Sequence, residues 1–166
     1  MAKVILLCGK VAAGKTTYAK EMAKKQRAVI LSIDDLVVRL HDHCEGRAKL
    51  SAMETAIRDY FTDLIVQLIE QDVTCIIDHL HWTRASRQQM IEFCQTHDFP
   101  LRIVLLECPK DIRLERLQKR NERLLREQER GYVIDAAKLE RFDSWFEALN
   151  DEECQLADIV NSGMEG

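Results

Sequence analysis

The chain has 166 residues, with 24 Lys and Arg against 28 Asp and Glu and a formal net charge of −4. A hydrophobic fraction of 46% beside 31% charged residues excludes a disordered chain and is typical of a folded domain. The length suits one domain, which we expect to span residues 1–166. The mild acidity argues against non-specific coating of nucleic acid.

The early part of the chain has no apolar run of the length that export or membrane insertion needs. Its longest run, Val4 to Cys8, is too short for a signal-peptide core or a membrane span. We therefore expect a cytoplasmic protein with no membrane partner, either a monomer or a homodimer. The scattered cysteines form no C-x-x-C pair, which predicts free thiols in a reducing compartment.

Apolar runs alternate with longer amphipathic stretches, a pattern that predicts strand–helix units around a parallel sheet. The predicted strands are residues 3–8, 28–32, 73–77, 101–106 and 157–160. The predicted helices are residues 15–26, 47–71, 83–97, 109–129 and 135–149. In the second helix apolar residues recur at three- and four-residue spacing, so we expect one buried face. That face consists of Met53, Ala56, Ile57, Tyr60, Phe61, Leu64, Ile65 and Leu68.

Residues 9–16 follow the first predicted strand and match the phosphate-binding pattern G-x-x-x-x-G-K-T. Its glycines allow the backbone to curl so that successive N–H groups face phosphate oxygens. Lys15 supplies a mobile positive charge for the β- and γ-phosphates, and the Thr16 hydroxyl is a natural ligand of Mg²⁺. The predicted residues for binding ATP with Mg²⁺ are Gly9, Val11, Ala12, Ala13, Gly14, Lys15, Thr16 and Thr17.

Aspartates follow the second and third predicted strands, at the edge where parallel sheets bind ligands. Asp34 and Asp35 come after residues 28–32, and Asp78 comes after residues 73–77. Asp78 fits the carboxylate that holds Mg²⁺ through a water molecule. Asp34 is suited to orient an acceptor hydroxyl or to take its proton. The alternative is that Asp34 or Asp35 caps a helix that begins near Leu36; for Asp35 both interpretations stay open, and for Asp34 we favour catalysis.

Basic residues outnumber acidic ones in residues 110–130. One interpretation is a solvated helix with ion pairs such as Glu115–Lys119. The other is a lid, spanning about residues 110–131, whose arginines close over phosphates. In that interpretation Arg116 contacts the bound nucleotide.

Four histidines form two close pairs, His41/His43 and His79/His81, each after a predicted strand. A zinc site could be assembled from them with Cys44 and Asp78, but the spacings match no standard zinc pattern, so substrate contact or loop packing is favoured. The candidate acceptor-binding residues are Asp34, Arg39, His81 and Arg84, with His41, His43, Arg47 and Trp82 nearby. Trp82 fits ordinary packing equally well.

Four segments together resemble a known family; they read GKVAAGKTTYAKEMA, LSIDDLVVRL, IIDHLHWTRASRQQM and RLQKRNER. They are similar to the small P-loop kinases of the zeta-toxin, chloramphenicol-phosphotransferase and polynucleotide-kinase group, above all its stand-alone bacterial ATP-binding proteins. The resemblance implies a nucleoside-kinase-like α/β/α sandwich with five parallel strands in the order 2-3-1-4-5, a helical lid and ATP·Mg²⁺ as donor. It also implies that Asp34 is the general base and that Arg120 or Arg123 touches the transferring phosphate.

Three functions are compatible with these features. The favoured one is a phosphotransferase that acts on a hydroxyl of a small or nucleotide-like molecule. A 5′-hydroxyl polynucleotide kinase is the second, and the basic lid could follow a phosphodiester backbone; however, Val37 stands where polynucleotide kinases have an arginine, and Arg39 is the nearest candidate. A nucleotide-dependent switch without transfer activity is the third.

Overall fold

The computed structural model describes residues 1–40, 47–79, 82–127 and 131–163. The strands are β1 (Val4–Cys8), β2 (Ala28–Leu31), β3 (Thr74–Ile77), β4 (Leu101–Glu107) and β5 (Ala157–Asn161). The helices are α1 (Lys15–Lys25), α2 (Ile33–Leu40), α3 (Arg47–Glu70), α4 (Arg84–Thr96), α5 (Lys110–Glu127), α6 (Ala136–Trp145) and α7 (Asp151–Gln155). The five predicted strands are therefore present, and α2 and α7 are additional to the predicted helices.

The strands form one parallel sheet in the order β2-β3-β1-β4-β5, which confirms the order that the family resemblance implies. In the register Ile5 of the central strand lies beside Ile76 of β3 and Arg102 of β4. All five residues of β1 are buried, as near-continuous apolar strands should be when helices cover both faces of a sheet.

Alternate residues of β1 face opposite helical layers. Val4, Leu6 and Cys8 belong to a core cluster with buried residues of α3 and α4, whereas Ile5 and Leu7 belong to a second cluster that includes Ala19 of α1. Successive side chains of a strand point to opposite faces, so the apolar run supplies both clusters. The result is a three-layer α/β/α sandwich.

The buried face of α3 is narrower than predicted. Ile57, Phe61 and Ile65 are buried, but Ala56 is exposed and the Tyr60 side chain is 61% exposed. Each of these two residues precedes a buried one by a single position, which is a rotation of about 100° around the helix. The spacing alone therefore predicts a buried face that is wider than the observed one.

The predicted helix over 135–149 ends at Trp145, because Phe146 is extended and the chain then turns toward α4. The Glu147 N–H donates to the carbonyl oxygen of Trp82 at 2.8 Å. A buried ion pair fixes the same region, with Arg87 of α4 donating to Glu153 of α7 at 2.6 and 3.0 Å. The loop that follows β3 is thereby tied to residues 146–153.

Two absences hold for the described part of the chain. None of its helices combines the length and the apolarity that crossing a membrane requires. Its five cysteines, Cys8, Cys75, Cys94, Cys108 and Cys154, are free thiols.

Candidate active site

The loop between β1 and α1 depends on its two glycines. Gly9 has φ +139° and Gly14 has φ +97°, backbone conformations that residues with a side chain rarely adopt. A Cβ at Gly9 would also lie 2.5 Å from the carbonyl oxygen of Leu106 in β4. Ala12 at the crest takes φ 61°, in the left-handed region as well. Nothing larger than glycine fits at position 9, which explains this residue of the motif.

Lys15 lies across the inside of this loop. Its Nζ donates to the carbonyl oxygens of Gly9 at 2.8 Å and Lys10 at 3.0 Å. Burial lowers the pKa of Lys15, an effect that the nearby Asp78 carboxylate opposes. The ammonium group is thus confined to the space that the loop surrounds, where an anionic ligand would strengthen its charged form.

Thr16 and Asp78 meet beside Lys15 although they are far apart in sequence. The Thr16 Oγ1 donates to Asp78 Oδ2 at 2.7 Å, and Asp78 is 6% exposed. Burial raises the pKa of Asp78, and the hydrogen bond from Thr16 lowers it in part. A hydroxyl and a carboxylate at this distance are the hard oxygen donors that Mg²⁺ prefers, so the two residues fit this ion.

Asp34 lies in the first turn of α2 and faces His79, the residue after Asp78. The distance between His79 Nδ1 and Asp34 Oδ1 is 3.5 Å. The Asp34 side chain is 53% exposed, so its carboxylate is open to an incoming molecule. The sheet order explains the proximity, because β2 and β3 are neighbours and both end at this edge.

Asp35 does not cap a helix that begins near Leu36, because α2 begins earlier, at Ile33. The Asp35 N–H donates to the Ser32 Oγ at 3.2 Å, so Ser32 serves as the side-chain cap. The Asp35 carboxylate instead accepts from the Arg39 guanidinium at 3.0 Å on the exposed face of α2. Asp34 does not cap a helix near Leu36 either, which leaves its carboxylate for other contacts.

Arg120 and Asn121 join α5 to the segment that follows it. Arg120 Nη2 donates to the Tyr132 carbonyl at 3.1 Å, and the Asn121 side chain exchanges two hydrogen bonds with the backbone of Ile134 at 2.7 and 3.3 Å. Burial lowers the pKa of Arg120, with a contribution from the charge of Arg123 and an opposing one from Asp34. Arg120 therefore lies within electrostatic reach of both Arg123 and Asp34.

The other arginines of α5 differ from one another. Arg116 contacts the phosphate-binding loop, because its Nη1 lies 3.5 Å from the Ala13 carbonyl and its guanidinium donates to the Ser162 carbonyl. Arg113 is 3% exposed and paired with Asp143 of α6, so it is not one of the arginines that could close from a lid. Glu115 and Lys119 form the predicted surface ion pair at 2.6 Å.

The structure describes only some of the residues that were candidates for binding the acceptor. Arg84 donates through Nε to the Ala148 carbonyl at 3.2 Å, a contact with the segment after α6. Trp82 is 9% exposed and packs against Phe142 and Trp145, so it belongs to a core cluster. His41, His43, Cys44 and His81 lie outside the described residues, and so does the side chain of Arg47. Within the described residues no three His, Cys, Asp or Glu side chains form a group that could hold a metal ion.

Several residues of this region make long-range contacts that the sequence does not indicate. They are Arg87, Arg113, Asn121, Asp143 and Glu153. The ion pairs of Arg87 with Glu153 and of Arg113 with Asp143, and the contact of Asn121 with Ile134, join residues 13 to 66 positions apart, so no local spacing predicts these contacts. Each becomes visible only when the helices are placed around the sheet.

Comparison with known proteins gives the class of this chain. The AAA domain family matches residues 4–149, and the chain belongs to that family. Its fold is that of the P-loop kinases. No curated protein sequence matches the chain.

Solved structures agree on the fold at low sequence identity. A sugar kinase from a Janibacter species has a TM-score of 0.63 at 15% identity, over 98% of this chain and 86% of that one. Kti12 from Chaetomium thermophilum, in complex with ADP-AlF3, has a TM-score of 0.65 at 17% identity, over 98% and 89%. A chain of the Pnkp1/Rnl/Hen1 RNA repair complex has a TM-score of 0.69 at 19% identity, over 95% of this chain and 46% of that one.

Proposed function

We propose that this protein is an ATP-dependent phosphotransferase that moves the γ-phosphate to a hydroxyl group of a small or nucleotide-like acceptor. The observation that carries the proposal is the 2.7 Å contact between Thr16 and Asp78 beside the ammonium of Lys15, which donates to two carbonyls of the phosphate-binding loop. Asp34 lies at the end of the neighbouring strand with its carboxylate exposed. Candidate metal ligands, a candidate charge for the phosphates and a candidate base at one edge of the sheet support the proposal.

Each residue has a defined part in the transfer. Lys15 exchanges the carbonyls of Gly9 and Lys10 for the β- and γ-phosphates of ATP. Thr16, directly, and Asp78, through water, would hold Mg²⁺, which when bound neutralises phosphate charge. Asp34 orients the acceptor hydroxyl and takes its proton as the acceptor oxygen bonds to the γ-phosphorus.

The lid arginines complete the charge balance. As the new bond forms, the bond from the γ-phosphorus to the β–γ bridging oxygen breaks, and ADP leaves with the electron pair. Arg120 and Arg123 offset the negative charge on the transferring group, and Arg116 contacts the nucleotide. Closure of the lid over the nucleotide would exclude water and limit hydrolysis of ATP.

A 5′-hydroxyl polynucleotide kinase is the second candidate. The basic residues of α5 and the fold similarity to a chain of an RNA repair complex favour it. Against it, the position after Leu36 is Val37 rather than an arginine, and Arg39 is already paired with Asp35. The small acceptor is therefore the function that we favour.

The test is a transfer screen with ATP radiolabelled at the γ-phosphate. Nucleosides, sugars, antibiotics and oligonucleotides with a free 5′-hydroxyl serve as acceptors, and Lys15→Ala is the blank. We expect label on one of the first three classes. Label on the oligonucleotide alone would establish the second candidate, and binding of MgADP without any transfer would favour a nucleotide-dependent switch.

A further inference from the structure

The crest of the phosphate-binding loop is held from outside by a buried ion pair. Arg113 of α5 donates to both carboxylate oxygens of Asp143 at 2.8 and 2.7 Å. The same guanidinium donates to the carbonyl oxygens of Val11 at 3.3 Å and Cys108 at 3.2 Å. A planar guanidinium with all these acceptors has one orientation, which fixes the direction of the Val11 carbonyl.

The direction of that carbonyl decides the direction of the next N–H group. In a trans peptide unit the C=O and the N–H point to opposite sides. Because the Val11 carbonyl points out of the loop toward Arg113, the N–H of Ala12 points into the loop. This is the space that Lys15 faces as it donates to the carbonyls of Gly9 and Lys10.

A second peptide of the loop is oriented in the same way. The Ser162 hydroxyl donates to the Ala13 carbonyl, which also lies 3.5 Å from Arg116 Nη1. The N–H of Gly14 therefore points into the loop beside that of Ala12. Hydrogen-bond donors outside the loop thus fix the direction of two N–H groups that point into it.

The apolar surroundings make the arrangement rigid. The Val11 side chain is buried in a cluster with Trp82, Leu117 and Leu139, which come from the loop after β3, from α5 and from α6. The cluster holds the Val11 side chain in place, and turning the Val11 carbonyl inward would break its hydrogen bond to Arg113. Arg113 of α5 and Asp143 of α6 therefore shape the phosphate-binding loop from outside it.

We propose that Arg113, anchored by Asp143, and Ser162 are positioning residues that turn the N–H groups of Ala12 and Gly14 toward the phosphates of the nucleotide. The inference rests on the proposed function, since it assigns the loop to nucleotide binding. It adds residues outside the motif to the determinants of nucleotide affinity.

The test compares the affinity for MgADP, by calorimetry, of the wild type, Arg113→Lys, Asp143→Asn and Ser162→Ala. The matched control is Arg102→Lys, which alters another arginine–aspartate pair at the amino end of β4, away from the loop. We expect Arg113→Lys to bind MgADP about 10- to 100-fold more weakly, as when one hydrogen bond to a charged group is lost, and the control to bind as the wild type does. All titrations are carried out at a temperature at which each variant is folded.

An amide spectrum separates positioning from stability. MgADP should shift the Ala12 amide resonance strongly in the wild type and weakly in Arg113→Lys, while the Lys15 amide shifts in both. If Arg113→Lys does not fold, Ser162→Ala makes the same comparison at Gly14. Tight binding by the wild type with equal affinity in these variants would overturn this inference alone. A wild type that binds no MgADP would overturn the proposed function together with it.

Discussion

Replacing Arg87 by Met should destabilise the protein more than any change of a surface ion pair. Arg87 and Glu153 are 0% and 2% exposed, and the guanidinium also donates to the carbonyls of Trp82 at 3.2 Å and Ala148 at 3.3 Å. The variant leaves a buried carboxylate without its cation, which costs about 3–5 kcal/mol. In a chain of this length that loss lowers Tm by about 6–20 °C.

The loss should depend on pH in a defined direction. Burial raises the pKa of Glu153, but the hydrogen bonds from Arg87 and from the Asn150 backbone outweigh it, so the pKa is lowered. The folded state therefore binds this proton less tightly than the unfolded chain does. The stability that the pair contributes is complete above the ordinary pKa of glutamate, about 4.3, and disappears as the pH falls through the lower folded value.

Denaturant unfolding, monitored by circular dichroism, measures this loss of stability at neutral and at acid pH. The control is Arg102→Met, because the Arg102–Asp158 pair is exposed on both sides and such pairs contribute at most about 1 kcal/mol. A loss in Arg87→Met no larger than in this control would refute the reasoning. A loss that stays constant down to acid pH would refute the assignment to Glu153.

Three further outcomes follow from the structure. The Trp82 Nε1 is buried and finds no hydrogen-bond acceptor among the described residues, so Trp82→Phe should cost about 1–2 kcal/mol in denaturant unfolding, against about 3–5 for Trp82→Ala. Equal losses of stability in the two variants would contradict the view that Trp82 contributes by packing rather than by a hydrogen bond. Gly9→Ala should destabilise the protein by about 1–3 kcal/mol and weaken MgADP binding, since its Cβ meets the Leu106 carbonyl; unchanged stability would contradict the loop geometry. Asn121→Ala, which frees Ile134, should lower kcat with MgADP affinity unchanged, and an unaltered kcat would remove that segment from catalysis.

The sheet could be predicted because its signal is local. Most strands are near-continuous apolar runs, and Gly9 to Thr16 follow the first one as the motif requires. The start of α2 cannot be read from the sequence because Ser32, Asp34 and Asp35 are equally good capping residues, and only the structure shows that Ser32 is the cap. The width of the α3 face was overestimated because periodicity does not show how deeply a helix sits on the sheet.

The buried polar contacts could not be predicted because they join distant positions. Arg113 reads as one more base in a basic helix, and Asp143 as one more acid in an acidic segment. Only their burial in the fold shows that they pair and reach the Val11 carbonyl. The same holds for Arg87 and Glu153, which are 66 positions apart.

The most direct test of the proposed chemistry is the transfer rate of Asp34→Asn with an acceptor identified by the screen. Asn keeps the size of the side chain but cannot take the proton of the acceptor hydroxyl. We predict that kcat falls about 10²- to 10⁴-fold, while the Kd for MgADP, which does not involve Asp34, stays at the wild-type value. Transfer at the wild-type rate would contradict the assignment of Asp34 as the base and, with it, the proposed mechanism.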